Sequence, residues 1–244
     1  MRRRTFLLTA LGAVLAGLGV GAALFPLSLA LSLSGAPLEG EARGRVWNGV
    51  IKDARIAGTD LGTVRLRPRL LPLLRGTLAA PFEVDGPSGQ GRGAATLSGA
   101  AVVLERYDGT LTLSALGARD PFGRPLSGTA EIDARGLHLT EAGCQAGTLT
   151  VSTDALTEAA RALGAAPAAP RLAGEGACAD GVLTLPLSGE GPSGRAAVDL
   201  RVAGRRYTTE VTLDPTDPRA AQALTALGFQ RTANGYNLIT RGAF

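Results

Sequence analysis

The residues of this chain that could do chemistry are few, and their spacing argues against catalysis. His138 is the only histidine among 244 residues, and its Leu-His-Leu-Thr run places it on the solvent side of an alternating strand. Ser88 and Ser193 each lie in a Gly-Pro-Ser-Gly segment, which is typical of a turn rather than of a nucleophile elbow. Lys52, the only lysine, has no Gly-Lys-Ser/Thr context for binding phosphate. We therefore expect no enzyme, with no catalytic residues, no metal ligands and no cofactor. A hydrolase is the weakest of the functions considered, because a nucleophile and base cannot be paired.

Cys144 and Cys178 are the only two cysteines. In an oxidising compartment such a pair can close a loop, and closing about 34 residues stabilises a fold by roughly 3–4 kcal/mol. A structural zinc site needs about four ligands, which two cysteines and one histidine do not supply. The sequence predicts a disulfide between them, with two buried free thiols as the alternative.

The elements that would hold these residues are mainly strands. Short apolar–polar alternations separated by glycine-rich turns are typical of half-buried antiparallel strands. With 34 glycines and 14 prolines there is little room for long helices. The sequence predicts a mainly β fold, a glycine-rich antiparallel β-sheet or sandwich-like domain. The predicted strands are Gly44–Ile51, Leu61–Arg67, Ala80–Asp85, Arg92–Ser98, Ala101–Glu105, Gly109–Ser114, Ser127–Ala134, Gly136–Thr140, Gly147–Ser152, Gly181–Leu187, Ala196–Val202, Arg206–Leu213 and Tyr236–Arg241.

Two short helices are predicted among the strands. Thr153–Leu163 begins with a Thr-Asp cap and places leucines on one face. Asp217–Leu227 has Asp217 as its cap, Pro218 at its first position and Gly228 just beyond its end. A Gly/Ala/Pro-rich stretch follows the first helix, so the domain could divide into two lobes with a junction near residues 164–175.

Several turns are readable from dipeptides and repeats. Asn234-Gly235 predicts a type I′ hairpin. The segment Gly86–Gly89 recurs as Gly191–Gly194, and Asp108–Leu113 resembles Asp180–Leu185. The order of the two fragments is reversed between the halves, which excludes a simple tandem duplication. We interpret each recurrence as one turn solution used twice.

An uncharged N-terminal run predicts a membrane anchor. Residues 5–25 form a run of about 21 residues, long enough as a helix to span the roughly 30 Å hydrocarbon core. Arg2, Arg3 and Arg4 flank only its N-terminal side, which places the N-terminus in the cytoplasm. A cleaved signal peptide is the alternative, and both interpretations export the rest of the chain.

These signals divide the chain into three parts. Residues 1–4 form a cytoplasmic tip, residues 5–33 a transmembrane signal-anchor, and residues 34–244 an exported β-rich domain. Within the anchor Ala13, Gly17 and Gly21 are four residues apart, so they lie on one helical face and would allow close helix–helix packing in lipid. The alternative is that they reflect only the general richness of the chain in glycine and alanine.

The charge pattern excludes nucleic acid as a partner. The formal net charge is +4, and the three N-terminal arginines account for three of these charges, which leaves +1 for residues 5–244. No basic block remains, and aromatic residues are only 4% of the chain. We expect membrane lipid to be contacted by the anchor, and no small-molecule substrate.

Short motifs after the anchor resemble a known family. The run Leu38–Gly49 contains a Gly-x-x-Trp-x-Gly turn with Trp47 and Gly49, and the strand that follows ends in Arg67-Pro68 before a leucine-rich step. Towards the C-terminus come a helix ending in Leu-Gly, then Asn-Gly-Tyr and a last strand. This succession resembles the type II secretion system protein N family, also called general secretion pathway protein N.

The resemblance implies a non-enzymatic, single-pass accessory or scaffold of the inner membrane, with a periplasmic β-rich domain that supports export of folded proteins across the outer membrane. Its implied partners are the inner-membrane and periplasmic components of the type II secretion system. The alternative is a periplasmic lipid-trafficking protein of the AsmA-like kind, in which a curved sheet would present an apolar trough. An exposed apolar groove would favour lipid carriage, whereas a polar face with bare strand edges would favour protein docking.

Overall fold

Antiparallel strands account for most of the computed structural model, which describes residues 27–28, 38–45, 47–56, 59–69, 77–98, 101–116, 125–140, 142–162, 169–204 and 206–243. The strands within these residues are β1 (Leu38–Arg45), β2 (Asn48–Ile56), β3 (Thr59–Leu66), β4 (Leu78–Gly86), β5 (Gly89–Ser98), β6 (Ala101–Thr112), β7 (Thr129–Thr140), β8 (Gly143–Thr153), β9 (Leu172–Ala179), β10 (Val182–Gly191), β11 (Gly194–Ala203), β12 (Arg206–Pro215), β13 (Gln230–Thr232) and β14 (Gly235–Ala243). They form one sheet in which each strand pairs with the next along the chain, except that β14 lies between β12 and β13.

This meander differs from the sandwich-like arrangement considered above. Sequential strands joined by short connections pair most readily with each other, so the described strands extend one sheet instead of dividing into two stacked layers. β8 pairs directly with β9 on either side of the Gly/Ala/Pro-rich segment.

Two α-helices and one short 3-10 helix lie in the longer connections of the described residues: α1 (Ala155–Ala162), α2 (Pro218–Ala226) and the 3-10 helix Leu113–Leu116. Both α-helices fall where the sequence predicts them. The carboxylate of Asp217 accepts a hydrogen bond from the backbone N–H of Arg219 at 2.9 Å, which is the predicted N-cap, and Pro218 occupies the first helical position.

Several strand predictions were wrong at their boundaries. The predicted strand Gly44–Ile51 is interrupted, because β1 ends at Arg45 and β2 begins at Asn48. Two pairs of predicted strands are single longer strands, β6 and β7. The register shifts where β6 pairs with β5 and where β7 pairs with β8, and the apolar–polar alternation is interrupted there. β9 was not predicted, since its sequence LAGEGACA is nearly all small residues and carries little apolar alternation.

Of the two recurring sequence segments, one forms the same turn at both of its positions and the other does not. Asp180 and Gly181 both have positive φ, 52° and 82°, in the tight turn between β9 and β10, as a type I′ hairpin requires. Asp108-Gly109 instead lies inside β6, so the interpretation that these two fragments share one turn was wrong. The Gly-Pro-Ser-Gly segments do share one turn, since they join β4 to β5 and β10 to β11.

The sheet has two chemically distinct faces. Directly paired residues of antiparallel strands point to the same face, so the register identifies each face across the whole sheet. We call one the apolar face, and we call a row of directly paired residues across neighbouring strands a rung. One continuous rung of the apolar face is Ala42, Ile51, Val64, Val84, Gly91, Gly109, Ile132, Val151, Gly174, Leu187, Val198, Val211 and Leu238. The other is the polar face, on which the neighbouring rung begins Arg65, Glu83, Arg92, Asp108 and Asp133.

Buried side chains form three clusters on the apolar face. One is centred on Ile51, Ala54 and Val64 in β2 and β3. The second gathers Ala134, Leu137 and the two cysteines, and the third contains Ala130, Val151, Leu172, Leu185, Leu187 and Ala196. The sheet is therefore stabilised by burial along one face rather than by a single central core.

The two ends of the strands also differ. At one end, here called the connection end, three long connections join β6 to β7, β8 to β9 and β12 to β13, whereas the connection from β3 to β4 lies at the other end. Hydrogen bonds link neighbouring connections there. The N–H of Thr112 donates to the carbonyl of Ser88 at 2.9 Å, the N–H of Leu113 to that of Gly128 at 3.0 Å, and the N–H of Thr129 to the carboxylate of Asp154 at 2.6 Å.

Candidate docking surfaces

The apolar face is covered in two places by chain outside the sheet. Leu27, which is only 3% exposed, packs against the cluster of Ile51, Ala54 and Val64. Leu113 and Leu156, from the 3-10 helix and α1, pack against the third cluster, which extends from β7 to β11. The segment that directly follows the predicted anchor core is thus joined to the domain by side-chain packing.

Gly49 explains one of the family-like motif positions. It lies on β2, and a Cβ atom at this position would overlap the Leu27 side chain. Only glycine therefore allows Leu27 to pack this closely. Trp47 lies half-buried in the turn between β1 and β2, and Arg67 and Pro68 directly follow β3, where the N–H of Arg67 donates to the carbonyl of Pro81 at 3.0 Å.

Among the side chains whose burial the structure describes, two large apolar ones on the apolar face are exposed. Leu97 is 43% exposed and Leu139 is 39% exposed. Val102 pairs with both, so the three residues form one rung across β5, β6 and β7 near the end of the sheet opposite the connection end. The same rung continues to Cys144.

Cys144 in β8 and Cys178 in β9 are joined in a disulfide, with their Cα atoms 5.4 Å apart. This is the predicted pairing. Both residues are buried in the cluster that contains Ala134 and Leu137. The bond therefore ties together two neighbouring strands in the middle of the sheet.

Two aromatic rings pack over glycines of β5 on the apolar face. The rings of Phe82 and Tyr107 are stacked with centroids 6.3 Å apart. A Cβ atom at Gly93 would lie 2.6 Å from Phe82, and one at Gly91 would lie 2.5 Å from the Tyr107 hydroxyl, so the rings lie directly over these glycines. Burial, assisted by the charge of Asp108, raises the pKa of the Tyr107 hydroxyl above its ordinary value.

Most of the ion pairs among the described residues lie on the polar face. Arg195 reaches Asp214 at 3.0 Å, and Arg171 reaches Glu131 at 2.9 Å. The hydrogen bond and charge of Arg135, whose guanidinium lies 2.6 Å from Asp133, hold the pKa of that carboxyl below its usual range. His138 also lies on this face, half-buried and opposite Ala146, in a strand as the sequence predicts.

A charged depression on the polar face was not predicted. It has a volume of about 410 Å³ and spans β3 to β7, and we call it the arginine depression. Its lining contains five arginines and two carboxylates: Arg65, Arg67, Arg92, Arg106 and Arg135, with Glu83 and Asp108. The spacing of Arg65 and Arg67 signals one face of a strand, but the strand register that joins them to the other arginines cannot be read from the sequence.

The two edges of the sheet differ in protection. β1 carries exposed Glu41 and Arg43 in an ion pair of 2.8 Å, and its register shifts between Glu39 and Glu41, both of which discourage pairing with another strand. At the other edge β13 pairs only with Gly235–Asn237 of β14.

The remaining part of the last strand forms a bare edge. Leu238–Ala243 pairs with β12 on one side, and on the other side it has no strand partner among the described residues. Ile239 within this segment is 52% exposed. We call Leu238–Ala243 the β14 edge segment.

Some predicted features cannot be placed on these surfaces. Arg2, Arg3, Arg4 and the Ala13/Gly17/Gly21 face lie outside the described residues. In the described part of the chain no helix is long and apolar enough to cross a membrane. Nor do the described ranges contain a group of three or more histidine, cysteine, aspartate or glutamate side chains that could hold a metal ion.

Comparison with known proteins gives one match. No curated protein and no solved structure matches the chain significantly. A sequence profile of the family described as "Type II secretion system (T2SS), protein N" matches residues 39–239, which extend from the first residues of β1 into β14 and include the arginine depression. The chain therefore belongs to the type II secretion system protein N family, a family of secretion-machinery components.

Proposed function

We propose that this protein is a non-enzymatic scaffold of the type II secretion machinery, anchored in the inner membrane with its sheet in the periplasm. In this role it supports the export of folded periplasmic proteins across the outer membrane by holding other components of the machinery. The observation that carries the proposal is the unequal protection of the two sheet edges. The β14 edge segment offers a row of backbone donors and acceptors, whereas β1 is blocked by charges and a bulge.

A bare edge is a ready site for strand addition. An extended segment of a partner can pair with the backbone of such an edge, and exposed side chains beside it then select the partner. Ile239 supplies an apolar contact at that edge, and Arg241 is its charged neighbour on the same face. Edge pairing therefore fits a platform protein that docks another β-rich component.

Two further observations support the membrane-anchored periplasmic arrangement. Disulfides persist in oxidising compartments, and the bacterial periplasm is one of them. The packing of Leu27 on the apolar face leaves little free chain between the predicted anchor core and the domain. A scaffold attached in this way stays close to the membrane surface.

Photocrosslinking in living cells tests the scaffold. We would place p-benzoylphenylalanine at Ile239 in the full-length chain and identify its adducts by mass spectrometry, with the same probe at Arg43 on β1 as the matched edge control. We expect adducts with secretion components from position 239 and none from position 43. Equal adduct yields from both edges, or no secretion component from either, would overturn edge docking.

Lipid carriage is the second candidate, and the exposed rung of Leu97 and Leu139 favours it. Acyl chains could be sheltered along a continuous apolar face, starting where these side chains meet solvent. The same probe at Leu97 and Leu139 would then yield phospholipid adducts. Phospholipid adducts there, together with no secretion component at Ile239, would replace the scaffold with a lipid carrier.

A further inference from the structure

The arginine depression carries more positive charge than its own carboxylates balance. Its lining has five arginines and two carboxylates, a formal net charge of +3. Arg65, Arg67, Arg92 and Arg106 make no ion pair within 4 Å in the part of the chain that the structure describes, whereas Arg135 is paired with Asp133. Several guanidinium groups can therefore donate hydrogen bonds to a bound anion.

The strand register places two of these cations directly against each other. Arg106 of β6 pairs with Arg135 of β7. Like charges directly opposite each other on neighbouring strands destabilise a sheet. A bound anion would remove this repulsion, so the arrangement favours an occupied site.

The spread of the arginines indicates the size of the anion. They extend from β3 to β7, four strand spacings of about 4.8 Å each, or roughly 19 Å. A single phosphate group can meet only the arginines around one point of such a span. An extended peptide covers it with about six residues at 3.3 Å each.

The two carboxylates of the depression restrict further which anion can bind. Glu83 and Asp108 alternate with Arg65 and Arg92 along one rung. A dense polyanion would be repelled by them, whereas a segment whose acidic side chains alternate with neutral ones can match the arginines and avoid the carboxylates.

We propose that the arginine depression binds an extended acidic segment of a protein partner, laid across β3 to β7 on the polar face. Its carboxylates would accept paired N–H donors from the arginine forks, which suit carboxylate geometry better than lysine does. This site lies on a different surface from the β14 edge segment. It gives the scaffold a second, charge-selective contact, and it can fail without the edge contact failing.

The test uses the full-length chain in detergent and a defined probe. The probe is a fluorescein-labelled octapeptide of alternating glutamate and serine, and its binding is followed by fluorescence polarisation at low and physiological salt. The test variant combines Arg92→Glu with Arg106→Glu. The matched control combines Arg201→Glu with Arg206→Glu, the same charge change on the polar face of β11 and β12.

We expect the test variant to lose at least tenfold in affinity and the control to stay within about twofold of the native chain. Binding should weaken as salt rises, since the contacts are between exposed charges. A neutral pair, Arg92→Gln with Arg106→Gln, should also lose affinity and covers the case in which the glutamate variant does not fold.

Three results would overturn the proposal. One is an equal loss in the test and control variants, which would mean that only net charge matters. Another is equal binding of a peptide with glutamine in place of glutamate. The third is binding of phosphatidylglycerol vesicles through Arg92 and Arg106 with no binding of the peptide, which would assign the depression to a lipid surface instead.

Discussion

Two three-stranded units of the sheet, β4–β6 and β10–β12, have the same backbone design. In each, a Gly-Pro-Ser-Gly turn joins the first two strands, and a threonine at or directly after the end of the third strand is hydrogen-bonded to that turn. The N–H of Thr112 donates to the carbonyl of Ser88 and that of Thr216 to the carbonyl of Ser193, at 2.9 and 3.1 Å. Their hydroxyls donate to the carbonyls of the two turn prolines, at 3.4 and 3.1 Å.

The polar faces of these units differ in how their charges are balanced. In β10–β12 Arg195 is paired with Asp214, and Glu210 of β12 accepts a hydrogen bond from Asn237 at 2.7 Å. In β4–β6 Arg92 and Arg106 have no ion pair in the described ranges, and Arg201 and Arg206 of β11 and β12 have none either. The two units therefore differ at the Arg195–Asp214 pair and at Glu210. One backbone design therefore tolerates two charge patterns, which means that the charges are free to serve binding while the turns and threonines serve folding.

The strand pair between the two units should show the largest effect. Replacing Cys144 and Cys178 together by alanine removes the link between β8 and β9. The loop of about 34 residues predicts a loss of roughly 3–4 kcal/mol in the free energy of unfolding. Denaturant unfolding of the oxidised native chain and the double variant measures it. A loss below about 1 kcal/mol would show that β9 is held by its backbone pairing alone.

The turn glycines test whether the two units share a folding role. Gly89 and Gly194 have φ of 136° and 127°, and a Cβ atom at either would lie 2.9 Å from a Cα of the third strand. Gly89→Val and Gly194→Val should each cost about 2–3 kcal/mol, because both add strain and a backbone overlap. Thermal unfolding of the two variants should give similar losses. A loss of stability in only one of the two variants would show that the two turns do not have the same role in folding.

The sequence predicted part of what depends on neighbouring residues. The type I′ turn predicted at Asn234-Gly235 was wrong, because Asn234 lacks the positive φ that this turn requires and Gly235 is already in β14. The helix cap of Asp217 and Pro218 and the Gly-Pro-Ser-Gly turns depend on contacts within a few residues. Their sequence signals are therefore local and do not depend on how the strands pair. The apolar face was predictable for the same reason, since alternation alone defines it.

What the sequence did not predict depends on register. Arg106 and Arg135 lie 29 positions apart, and a slip of one residue would place them on opposite faces. β6 and β7 keep one register with each other, whereas the register shifts between β5 and β6 and between β7 and β8. The bare β14 edge depends on β13 being only three residues long. The packing of Leu27 on Gly49 is equally non-local, although a glycine inside a strand is a signal of close approach.

The turn threonines should show a smaller effect than the glycines. Thr112→Val and Thr216→Val keep the backbone bonds and remove only the hydroxyl donors to Pro87 and Pro192. Each should lower the free energy of unfolding by about 1 kcal/mol or less, the usual net value of one hydrogen bond. Chemical denaturation of the two variants side by side gives the comparison. Because the Thr216 bond is the shorter, a larger loss at Thr112 would contradict the geometry.

The polar-face arginines should show the smallest effect, and its sign should differ between the units. Arg195→Gln removes an exposed ion pair and should lower the free energy of unfolding by no more than about 1 kcal/mol. Arg106→Gln removes a charge that faces Arg135, so it should leave stability unchanged or raise it by a few tenths of a kcal/mol. Both variants are measured by denaturant unfolding at low salt, where exposed charges are least screened. A clear loss of stability in Arg106→Gln would mean that this arginine serves folding, and the division between a structural backbone and a binding charge pattern would then not hold in β4–β6.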